Sequence, residues 1–159
     1  EAYFWGYGES SAGKTFDFSI EDVSGTDYVL FRHAGGNVRF PGVTAGTEFY
    51  ATVVVPTSAT TTDDVNFFID GSEATGTRNS GSDRTLNTTS SDFGIATSGR
   101  NAGNVTFDGT GDEYRISDIA RADGWISTEY NNQNSPSTFI TEGTPESVVE
   151  LLKIFYRVR

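Results

Sequence analysis

Cutting a glycosidic bond requires two carboxyl groups set close together, one acting as nucleophile and the other as proton donor. On a strand that demands a spacing such as Glu-x-Asp-x-Glu, because only alternate residues share a face. The acidic pairs here, Glu21-Asp22 and Asp112-Glu113, are immediate neighbours and would point to opposite faces. Glycan hydrolysis is therefore not expected. His33 is the only histidine and no Gly-x-Ser-x-Gly elbow accompanies it, so it reads as a loop histidine of no special role. The glycine-rich stretches Gly35-Gly36 and Gly99 to Gly103 lack the Lys-Ser/Thr of a phosphate loop. The absence of cysteine excludes disulfides, thiolate catalysis and Cys-based zinc. The chain reads as non-enzymatic.

Sugar binding is the chemistry that these residue types suit best. It needs aromatic rings for stacking, with Asn, Asp or backbone groups for the hydroxyls. Trp5, Tyr7, Tyr28 and Tyr50 fall on expected strands and are the candidate ligand-binding residues, with Asn- and Asp-rich loops between them. Aromatic residues alternating along strands also serve as core, and that reading stands beside the first. Asn87-Thr88-Thr89 and Asn104-Val105-Thr106 match the N-glycosylation pattern.

These side chains sit on a chain of 159 residues, enough for one domain with a real core. Hydrophobic residues make up 35%, and 18 Gly among many Ser, Thr and Asn signal frequent turns, which suits an all-β sandwich better than a helical protein. The formal charge of −11 repels phosphate backbones and anionic membranes, so nucleic-acid binding is not expected. No run approaches the roughly 20 apolar residues of a membrane helix, so no membrane insertion is expected. Residue 1 is Glu and the chain has no Met, so it reads as processed or as a piece of a longer protein.

Periodicity places strands at Ala2 to Tyr7, Lys14 to Ile20, Asp27 to Arg32, Asn37 to Phe40, Glu48 to Val55 and Val65 to Asp70. Glu48 to Val55 is the strongest, and Pro56 ends it. Asp70-Gly71 suits a tight turn with positive φ. Gly71 to Ser91 should be loops with a weak strand, and Phe93 to Ala96 a short strand. A glycine-rich turn after Phe107 should lead into a short strand ending at Ser117. The period then shifts to about 3.6 over Ala120 to Tyr130, with Ile119, Ala122, Ile126 and Tyr130 near one helical face. Trp125 reads as the anchor of this helix in the sandwich. After Gly143 the signals compete: Thr144-Pro145 suits a helix start, while Leu152, Ile154, Tyr156 and Val158 alternate like a strand.

The run Asp112-Glu113-Tyr114-Arg115-Ile116-Ser117, then Trp125, then Glu129-Tyr130-Asn131-Asn132-Gln133 and Pro136-Ser137-Thr138-Phe139, resembles the C-terminal signature of laminin G-like, concanavalin A-like lectin domains of bacterial, archaeal and viral surface proteins. Phe67-Phe68-Ile69-Asp70-Gly71 is similar to a turn of the same family. Gly111 and Tyr114 depart from its usual residues. The resemblance implies an all-β antiparallel sandwich of jelly-roll type over residues 1–143, with one short C-terminal helix; the tail at 144–159 lies outside the resemblance and reads as a packed terminus or an inter-subunit connector. The resemblance also implies a recognition or adhesion module, extracellular or at a cell or virion surface, whose partner is a glycan or a surface protein. Related sandwiches often hold a structural calcium, for which Asp112 is the first candidate ligand with Asp108 beside it. Ordinary Gly-Asp turn chemistry is the competing account of that pair. A rival role is structural: a subunit of a virion decoration, tail fibre or filament, forming a homo-oligomer or larger assembly through residues 144–159.

Overall fold

The computed structural model describes residues 2–9, 14–33, 35–87, 93–96, 107, 109–139 and 143. Asp108, the Asn104 sequon and the tail at 144–159 lie outside the described residues.

Two antiparallel sheets form the body. Strands β1 (Ala2–Gly8), β2 (Thr15–Val23), β3 (Thr26–His33), β4 (Gly36–Phe40), β8 (Thr77–Gly81) and β9 (Phe93–Ile95) make a six-stranded sheet in the order β8-β4-β3-β2-β1-β9. Strands β5 (Ala51–Val54), β6 (Asn66–Ile69) and β7 (Ser72–Glu73) make a three-stranded sheet. The joints are where turn chemistry puts them. Ser24-Gly25 joins β2 to β3 with φ of 56° and 84°, and Asp70-Gly71 joins β6 to β7 with φ of 50° and 72°. Both are two-residue turns whose positive φ matches the twist of the flanking strands. Gly71 is required twice over, since a Cβ there would lie 2.9 Å from Tyr130 Cβ.

The core lies between the sheets and is largely phenylalanine. Phe18 stacks on Phe31 at 5.0 Å within the large sheet, and Phe67 of the small sheet meets Phe18 at 5.6 Å and Phe40 at 4.5 Å. Phe16, Val29, Val43 and Ile69 complete this cluster. Alternation along β6 sends Phe68 to the other face, where with Val54 it packs on Ile126. Ile126 belongs to helix α1 (Asp123–Asn134), which thus lies as a third layer over the small sheet and is followed by the short α2 (Pro136–Phe139).

Three sequence expectations change. Only Ala51 to Val54 of the stretch Glu48 to Val55 is strand. At Tyr50 the backbone exchanges with the turn instead: Tyr50 N–H donates to Asp70 Oδ1 at 2.9 Å, and Asp70 N–H donates to Tyr50 O at 2.8 Å. The segment through Ser117 is not a strand; residues 110–117 are irregular and exposed. Its Arg115 donates to Glu129 of α1 and to Glu113, so a charged clasp to the helix replaces a ladder. Trp125 is not the helix anchor. It is 43% exposed, whereas its neighbour Ile126 is fully buried.

Candidate functional site

The four candidate aromatic residues do not gather. Trp5 and Tyr7 pack against the inter-sheet cluster, with the Trp5 ring 4.4 Å from that of Phe18. Tyr28 stands opposite Glu21 on β2, and the Arg39 guanidinium, paired with Glu21 at 2.8 Å, lies 5.8 Å from its ring centre. Tyr50 lies beneath α1, its ring 6.3 Å from that of Tyr130. Burial, and then a hydrogen bond with the Glu129 carboxylate, raise the Tyr50 phenol above its ordinary pKa. The rings therefore serve three separate neighbourhoods rather than one platform.

Asp112 is exposed, and its Oδ1 accepts the Glu113 backbone N–H at 2.8 Å, the turn chemistry expected of such a residue. Among the described residues no three His, Asp or Glu side chains come together as metal ligands. Calcium also takes backbone and amide oxygens, which that grouping leaves aside.

Exposed apolar side chains occur instead between residues 114 and 125. Over twelve residues, Tyr114 (40%), Ile116 (77%), Ile119 (60%) and Trp125 are all exposed. The Arg121 guanidinium lies 4.7 Å from the Trp125 ring centre, a cation–π contact just ahead of the first turn of α1. The physical origin is helix phase. Ile126 takes the single position that faces Phe68 and Val54, so Trp125, one residue earlier and about 100° round the helix, turns outward. Adjacent helix positions lie about 100° apart, and the pair Trp125-Ile126 does not by itself say which of the two faces the sheet.

A second polar site lies at one end of the sandwich and was not anticipated. His33 ends β3 and is fully buried, with neither ring nitrogen hydrogen-bonded among the described residues. It shares the inward parity of Val29 and Phe31, which is the signal that its position contained. Around it, Asp83 Oδ1 accepts Thr62 Oγ1–H at 2.7 Å and the backbone N–H groups of Asp63 and Arg84 at 3.0 Å each. Arg78 pairs with Asp63 and lies 4.0 Å from Asp83, with one guanidinium nitrogen buried and unpartnered. Thr62 N–H donates to Arg84 O, and Leu86 N–H to Thr60 O, each at 2.9 Å, so residues 60–62 and 84–86 close this end like a short ladder. Gly81 makes the crossing possible, since a Cβ there would fall 1.9 Å from Gly35 O. Burial, with Arg78 and Arg84 nearby, pulls the His33 pKa down to about 4, so the imidazole is neutral at physiological pH.

Among the described residues no helix is long and apolar enough to cross a membrane. Comparison of the chain with family models, curated proteins and solved structures finds no match.

Proposed function

We propose that the chain is a non-enzymatic recognition module, a concanavalin A-like jelly roll of the laminin G-like kind, that binds glycans at an extracellular, cell or virion surface. The observation that carries this reading is the exposed Trp125 ring with Arg121 beside it at the start of α1. An indole face offers a pyranose ring C–H stacking, and a guanidinium offers donors to its hydroxyls. The helical part of the signature supports this reading, with Glu129 to Gln133 within α1 and Pro136 to Phe139 forming α2, while its strand, Asp112 to Ser117, is irregular here. Calcium, with Asp112 among its ligands, belongs to the same reading and would act by ordering loops.

The test is a glycan array with the purified chain, followed by calorimetry on any sugar retained, with and without calcium. Trp125→Ala should weaken binding about 10-fold or more, the worth of one aromatic contact, while the far-UV spectrum stays unchanged. An array with no retained glycan, or equal binding by Trp125→Ala, overturns the reading.

A further inference from the structure

The end of the sandwich that covers His33 is fastened lightly. Residues 60–62 and 84–86 meet through two backbone hydrogen bonds, Thr62 N–H to Arg84 O and Leu86 N–H to Thr60 O, on either side of the isolated bridge Thr61–Thr85. Carboxylates hold the two stretches in shape. Asp64 accepts the Thr60 and Thr61 N–H groups at 2.8 and 2.9 Å, and Asp83 gathers Thr62, Asp63 and Arg84. Apart from Thr62, these residues are exposed or half-buried, and Leu86 is the one that packs against the inter-sheet core. The stacked rings of Phe18, Phe31, Phe40 and Phe67 meet one another without them.

The groups around the buried imidazole disfavour a positive charge on it. Arg78 of β8 and Arg84 of the closing stretch oppose one, and Asp83 is the acid that favours one. That carboxylate is already engaged by three donors, while Asp63 is paired with Arg78 and Asp64 is turned to Thr60 and Thr61. On β2 the inward residue at this end is Phe16, and at its exposed approach Lys14 and Glu9 pair with each other at 2.9 Å. On β4, His33 stands opposite Gly36. An added proton therefore meets two guanidinium groups and, among the described residues, no acceptor for either ring N–H. Opened to water, the same ring would bind a proton as an ordinary histidine does.

We propose that residues 60–64 and 82–86 form an acid-sensitive flap, and that protonation of His33 shifts this end of the sandwich from closed to open while both sheets stay folded. Closure pulls the ring from its ordinary value of 6.5 down to about 4. Closure therefore keeps its full strength above about 6.5 and weakens as pH falls towards about 4. From pH 7 to pH 5 the open population should rise about 20-fold. The neighbouring carboxylates do not titrate in this window. Backbone N–H groups of Thr60 and Thr61 hold Asp64 low; burial works against the Asp83 anion, but hydrogen bonds led by that of Thr62 outweigh it. Leu86 leaves the core with the flap, so acid uncovers apolar surface at one end of the molecule. The inference does not depend on glycan binding, which rests on Trp125 and Arg121.

Amide hydrogen exchange of the full chain at pH 7 and pH 5, resolved by residue and corrected for intrinsic exchange rates, tests it. Protection of the Thr62 and Leu86 amides should fall about 20-fold, while that of amides 18–20 in β2 and 29–31 in β3 changes less than about 3-fold. His33→Gln, which cannot take the proton, should show the same Thr62 and Leu86 protection at both pH values. A second variant answers the same question without touching the buried ring. Thr61 and Thr85 are directly opposed between the two hydrogen bonds, the position where strands come closest and a disulfide fits. Thr61→Cys with Thr85→Cys should lose the acid response when oxidised and regain it on reduction. Equal loss of protection at the flap and in β2 and β3 overturns the proposal, because the whole domain is then opening. So does a wild-type flap whose protection is unchanged at pH 5, or a loss that persists in His33→Gln or in the oxidised pair.

Discussion

His33 shows how strongly a single buried side chain can govern behaviour. Its imidazole is enclosed at the end of β3 with Arg78 and Arg84 on one side of the charge balance and Asp83 on the other. Neither nitrogen has a partner to hold a proton, so burial favours the neutral ring. In the unfolded chain the same group titrates near its ordinary value of about 6.5. A base whose folded pKa is depressed stabilises the fold fully above the unfolded pKa. That stability is lost as pH falls from about 6.5 towards about 4, because only the unfolded chain gains the proton there. The ceiling on this loss is about 3 kcal/mol, reduced wherever local opening lets water reach the ring. Denaturant midpoints between pH 7 and 4 should fall in the wild type, and His33→Gln should show a visibly flatter profile. Equal slopes in the two proteins would place the acid sensitivity elsewhere, for example at Asp64, whose carboxyl is held low by the Thr60 and Thr61 backbone N–H groups. The inward parity of position 33 was legible from Val29 and Phe31; that the end of the sandwich closes over it was not, since the closure is made by residues 60–62 and 84–86.

Helix α1 is held by a small apolar contact and a charged clasp. Ile126 fits against Phe68 and Val54, Glu129 takes Arg115 and approaches Tyr50, and Tyr130 closes on Gly71. Ile126→Ala should therefore destabilise the protein by about 2–4 kcal/mol, the usual cost of emptying a buried aliphatic site. Trp125→Ala should cost under about 1 kcal/mol, because its ring meets Arg121 and solvent rather than the sheet. Chemical denaturation of the two variants decides the assignment, and the reverse order would restore Trp125 as the anchor. The existence of the helix was legible in the period change after Ser117. Its phase against the sheet was not, because that depends on which side of β6 is left uncovered by the large sheet. The strand expected at 112–117 was misread for a related reason: alternation marks a segment able to pair, and only the rest of the molecule supplies or withholds the neighbour.

Across the whole molecule the dominant electrostatic fact is the surplus of 22 acidic over 11 basic residues. Ion pairs such as Arg39–Glu21 and Lys14–Glu9, each with both groups partly exposed, contribute little individually. Net repulsion among the unpaired carboxylates should outweigh them. Raising NaCl from about 10 mM to about 500 mM shortens the Debye length from about 30 Å to a few Å, so the melting temperature should rise. A fall would mean that the local pairs dominate the global charge.

The sequence by itself determined the class of the molecule and the grammar of its strands. Two-residue periods of Phe, Val and Ile required sheets, and Asp70-Gly71 required a tight turn; both follow from local sterics and from which side of a pleat each residue occupies. The tertiary structure alone decided which expected positions became surface and which became interior. Burial of His33, exposure of Trp125 beside a buried Ile126, and the lack of a ladder at 110–117 each depend on what a distant part of the chain brings alongside. Periodicity is written residue by residue, but a partner across a sheet or over a helix is a property of the packed whole.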